Sequence, residues 1–113
     1  MTPNEIKKAT LKQLREARSS MLELDYLIAL EGLTDEEKRE AAINLSNVQL
    51  AYLKLRKTKL EKIQSALKEN ENDLTESIKA LNESLEKLTE VKEIIRAAAI
   101  LVSVIARILP LIP

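Results

Sequence analysis

The sequence predicts an all-α protein, and three observations carry that prediction. Hydrophobic residues make up 45% and charged residues 32% of 113 positions, with one Gly, three Pro, no Phe and no Trp. That balance, rich in Leu, Ala, Glu, Lys and Ile, belongs to long-helix and coiled-coil chains. Apolar residues recur at spacings of three and four, the period of one helix face. Thr2 with Glu5, and Thr34 with Glu37, each spell the T-x-x-E of a capping box. The favoured architecture is a single helical domain over 1–113, an antiparallel three-helix bundle with coiled-coil-like packing. Its helices are expected over 3–31, 35–69 and 73–109.

The first helix starts at Thr2 as N-cap, with Pro3 in its first turn. Leu14, Ala17, Met21, Leu24 and Ile28 then form a stripe, which Leu22, Leu27 and Leu30 widen. Gly32, the only glycine, stands where a helix end takes a left-handed residue, so this helix is expected to stop near Glu31.

The second helix opens at Thr34, with Asp35, Glu36 and Glu37 at the positive end of its dipole. Ala41, Leu45, Val48, Tyr52 and Leu55 lie on one line, with Ile43, Leu50 and Leu53 beside it. Beyond Leu55 the apolar line narrows to Leu60, Ile63 and Leu67, among the basic residues of KLRKTKLEK.

Residues 68–73 read KENEND, a cluster of weak helix formers that favours a turn at 70–73. Against a turn stands an unbroken seven-residue spacing through Leu60, Leu67, Leu74, Leu81, Leu88 and Ile95. The alternative is therefore helix one plus one continuous helix over 35–109, roughly 110 Å long, in an oligomeric coiled coil. The folded-back form brings the broad apolar stretches of all three helices to one end. At the other end it sets Lys7, Lys8, Lys12, Arg15, Arg18, Lys54, Arg56, Lys57, Lys59 and Lys62 opposite the acid-rich start of helix three. The rod accounts for neither coincidence.

The segment 94–112 is apolar on nearly every side. Val91, Ile94, Ile95, Ile100, Leu101, Val102, Val104, Ile105, Ile108, Leu109, Leu111 and Ile112 are the candidate interaction residues. Arg96, Ser103 and Arg107, spaced seven and four apart, form one narrow polar edge. The nine candidate residues from Ile94 to Leu109, left in water, would make an aggregating patch. Cover must come from the chain's other helices, from further copies, or from lipid. A membrane span needs about 20 mainly apolar residues. The charge-free run Ala97–Ala106 has ten, and Pro110 then stops the helix. A simple span is not expected.

Composition removes most chemistry. With no His and no Cys, zinc sites, thiol or imidazole nucleophile pairs and Glu-x-x-His di-iron sites are excluded. No glycine-rich phosphate loop is present. Glu83, Glu86 and Glu90, with Lys79 and Lys87, read as a solvated helix face with ordinary ion pairs. The 18 basic and 18 acidic residues cancel, and the two tyrosines, Tyr26 and Tyr52, sit on apolar faces, so nucleic acid is not the expected partner. No catalytic residue, metal, cofactor or small-molecule substrate is expected. The N-terminal residues carry no apolar stretch of a secretory signal, which makes the cytoplasm the expected compartment.

The function expected from the sequence is non-enzymatic. It is a helical interaction or assembly protein that forms a homo-oligomer, or binds another helical protein, through its C-terminal segment. The competing expectation is a membrane-active protein whose C-terminal helix inserts into or lies on a bilayer.

Overall fold

Capping decides where the first helix begins. In the computed structural model, which describes residues 1–109, the Thr2 hydroxyl accepts from the Glu5 amide and the Glu5 carboxylate accepts from the Thr2 amide. Thr34 and Glu37 repeat the exchange thirty-two residues later. Every regular element among the described residues is a helix: α1 Pro3–Ser20, α2 Leu24–Leu30, α3 Asp35–Lys57, α4 Leu60–Glu69, α5 Glu71–Ser84 and α6 Val91–Ala106.

The described residues thus form six helices where three were expected. Helix one is interrupted at 21–23, where Glu23 is extended (φ −75°, ψ 151°) after the two weak helix formers Ser19 and Ser20. The break turns α2 about its axis relative to α1. Leu14, Ala17 and Met21 are buried, whereas Leu24 and Ile28, which prolong the same stripe in sequence, face outward. Gly32 has no positive φ, contrary to expectation. The end of α2 is closed instead by short-range bonds, from the Gly32 amide to the Ala29 carbonyl and from Leu33 to Leu30.

Helix two breaks at Thr58 and Lys59, both extended. Lys54, Arg56, Lys57, Lys59 and Lys62 crowd like charges onto adjacent turns, which weakens a helix there. The freed end is tied down by side chains. The Thr58 hydroxyl donates to the Lys54 carbonyl (2.7 Å), and Lys7 Nζ donates to the Thr58 carbonyl (2.6 Å). The expected turn at 70–73 falls on Asn70 (φ −104°, ψ 12°), whose side-chain amide donates to the Ala66 carbonyl and closes α4. Helix three is interrupted at 85–90, a run of short turns ending at Glu90 (φ −86°, ψ 65°). A continuous helix over 35–109 is therefore wrong. The seven-residue spacing persists through the breaks because turn residues such as Leu85 and Leu88 also pack on the core.

Four of the helices pack side by side, α1 against α3 and α5, and α6 against α3 and α5. The Lys7–Thr58 bond sets the start of α1 at the end of α3, so these two run antiparallel. An ion pair from Arg107 to Asp73 (2.7 Å) sets the end of α6 against the start of α5. Lys92 to Glu37 (2.9 Å) joins the starts of α6 and α3. The short α2 joins α1 to α3, α4 joins α3 to α5 and packs against α1, and residues 85–90 join α5 to α6. One core runs through all of them, with Ile6, Leu14, Met21, Leu55, Leu67, Leu74, Leu81, Ile94, Leu101 and Ile105 removed from water.

Candidate interaction surface

The C-terminal segment is mostly covered by its own chain. Val91, Ile94, Leu101, Val104, Ile105 and Leu109 are buried, and Ile95, Val102 and Ile108 are partly buried against the core. Of the candidate interaction residues described, only Ile100 is exposed as a large side chain, at 49%. Leu111 and Ile112 lie outside the described residues. The reason is geometric. Helix α6 lies between α3 and α5, with α2 also against it, so a broad apolar circumference finds neighbours on several sides.

Arg96, Ser103 and Arg107 are exposed along the opposite side. Arg96 pairs with Glu93 one turn away (3.0 Å), and the Ser103 hydroxyl donates to the Ile100 carbonyl (2.7 Å). Arg107 reaches across to Asp73 at the start of α5, so all three residues of this edge make bonds within the chain.

Exposed apolar side chains gather elsewhere. On α2, Tyr26 is buried and anchors the helix, while Ala29 and Leu30 are partly covered. That orientation leaves Leu24 (70% exposed), Leu27 and Ile28 (61%) on the outer face, with Leu22 just before it. Burial pushes the Tyr26 phenol above its usual pKa. On α3, the core takes Ala41, Asn44, Val48, Ala51 and Leu55, and the outer side presents Ile43 (54%), Leu50 (36%) and Leu53 (47%). In sequence Ile43, Leu50 and Leu53 flank the buried line. The signal that they face outward was their offset from the stripe through Ala41, Val48 and Leu55.

Charge is laid out by end. No Lys or Arg occurs between Arg18 and Lys38, a stretch holding Glu23, Asp25, Glu31, Asp35, Glu36 and Glu37. Helix α3 begins with the last three and ends with Lys54, Arg56 and Lys57. The sequence sets the basic residues opposite the acid-rich start of helix three, Glu71, Asp73 and Glu76. Among the described residues Lys7, Lys8, Lys12, Arg15, Arg18, Arg56, Lys57, Lys59 and Lys62 make no ion pair with those acids, and Asp73 is taken by Arg107. Glu71 instead receives Lys68 (2.8 Å) and the Met1 ammonium (3.1 Å), which hold its carboxyl below the usual range. Glu37 is held lower still, down to about 2, by the Thr34 amide and hydroxyl at the helix start and by Lys92.

Among the described residues two buried polar atoms lack a partner, Gln13 Nε2 and Asn44 Oδ1. Asn44 does donate through Nδ2 to the Ile95 carbonyl (3.3 Å), a polar contact between α3 and α6. Among the described residues no group of acidic, His or Cys side chains is placed to hold a metal ion, and no helix is long and apolar enough to cross a membrane. No family model, no curated protein sequence and no solved structure matches this chain.

Proposed function

We propose that this protein is a non-enzymatic helical assembly protein that acts by self-association. Its contact surface is the outer faces of α2 and α3, in place of the C-terminal helix that the sequence favoured. One observation carries the reading. Apart from Met1 and Ile100, the large apolar side chains left in water among the described residues lie on α2 or just before it, at Leu22, Leu24, Leu27 and Ile28, and on α3, at Ile43, Leu50 and Leu53. Scattered exposed apolar residues need no explanation, but clustered ones on neighbouring turns of one face mark contact surfaces. Membrane insertion of α6 would instead have to pull Ile94, Leu101, Val104 and Ile105 out of the core, each worth about 1.5–3 kcal/mol of burial.

Light scattering over a concentration series tests the proposal. The expected mass is that of a defined oligomer, and Leu24→Glu combined with Leu50→Glu returns it to a monomer of unchanged helicity. A wild-type chain that stays monomeric at its highest soluble concentration overturns the reading. Flotation with anionic and neutral vesicles covers the remaining class. A monomer that floats with vesicles would move the function to the membrane surface.

A further inference from the structure

We propose that a second copy of this chain packs on the outer face of α3, antiparallel, about a two-fold axis midway between Ile43 and Leu50. The proposal rests on self-association and names its geometry. Glu36, Ile43, Leu50 and Lys57 are exposed and succeed one another at intervals of seven along α3. On a straight helix successive sevens drift by only about 20°, so the four side chains form one line on the outer side. The order along that line is acid, apolar, apolar, base.

Such a line complements itself when reversed. Two copies related by the axis set Ile43 opposite Leu50 of the partner, and Leu50 opposite Ile43 of the partner. The same register sets Glu36 opposite Lys57 of the partner at both ends. Among the described residues neither Glu36 nor Lys57 has an ion pair within its own chain, so both are free to make this one. Near the axis lies Ser46, small enough to let two helices approach closely, and Leu53 broadens the apolar strip. Parallel pairing in register would put Glu36 on Glu36 and Lys57 on Lys57, and would align two helix dipoles. An isologous contact of this kind also closes at two copies, where a head-to-tail contact would not.

Charge reversal reads the register directly. Sedimentation equilibrium is run on wild type, Glu36→Lys, Lys57→Glu and the double variant, with helicity checked by circular dichroism. Each single reversal places two like-charge pairs in the dimer and is expected to weaken it about tenfold at low salt. The double variant restores both pairs with their signs exchanged, and its dissociation constant is expected within about threefold of wild type. In a second measurement, Ser46→Cys is expected to oxidise to a covalent dimer. Lys57→Cys is not, since two copies of that position lie roughly 30 Å apart across the axis. Single reversals without effect, a double variant as weak as either single, or efficient cross-linking at position 57 would each overturn the inference while an oligomeric wild type leaves self-association standing. A monomeric wild type overturns both.

Discussion

Leu101 and Ile100 are neighbours in sequence with opposite surroundings, and truncating each to alanine measures how far α6 is core. Leu101 is fully removed from water and belongs to the cluster that joins α6 to the other helices, whereas Ile100 is half exposed on the side of Arg96 and Ser103. Leu101→Ala removes buried methyl groups and leaves a cavity, a combination that costs about 3 kcal/mol at a rigid site. With an unfolding entropy near 2.1 cal/mol/K per residue, that loss lowers Tm by roughly 12 °C for a chain of this length. Ile100→Ala removes side-chain area already half in water and costs at most about 1 kcal/mol, or roughly 4 °C. Thermal melts followed by circular dichroism at two protein concentrations provide the assay. The second concentration matters because a helix serving as an intermolecular surface loses stability on truncation in proportion to the oligomer it supports. Equal losses for the two variants, or a Leu101→Ala loss that vanishes on dilution, would refute the assignment of α6 to the core of one chain.

Two further outcomes are expected from single groups. The Glu37 carboxyl has a folded pKa lowered to about 2, so the stability it contributes is fully present above the ordinary carboxylate pKa and is lost as pH falls towards 2. Melts of wild type and Glu37→Gln across this acid range should converge as pH drops, and a constant gap between them would mean that Glu37 is not the titrating group. Asn44→Leu removes the orphaned Oδ1 together with one long bond to Ile95, and is expected to raise stability by about 1 kcal/mol by chemical denaturation. A lower stability would show that the Ile95 contact outweighs the unpaired oxygen.

What the sequence reveals about this fold is the local chemistry at helix starts. Thr2 and Thr34 are recognisable because a capping box is complete within four residues, and both form as read. The interruptions at 21–23, 58–59 and 85–90 carry only weak signals, since none contains Gly or Pro and the serines before the first and the like charges around the second are common inside helices too. At Thr58 the deciding contact comes from Lys7, fifty-one residues away, which no local pattern displays. The burial of the described C-terminal residues within their own chain escapes the sequence for the same reason. Residues 94–112 are the most apolar part of the sequence, but burial depends on how many neighbours surround a helix, and α6 has three. Once the chain reorients at 21–23, Leu24 and Ile28 pass from the inner stripe to the outside with no change in their spacing.

The Lys7 bond to Thr58 has a consequence for where α3 stops. The lysines and the arginine crowded around Thr58 weaken helix at this point, and the Lys7 bond fixes where the freed end lies. By donating to the carbonyl of the C-cap residue, the first helix acts as a splint on the end of the third. The basic residues beyond Leu53 are therefore aimed by a segment remote in sequence, and loosening the N-terminal helix would scatter them without altering any of them.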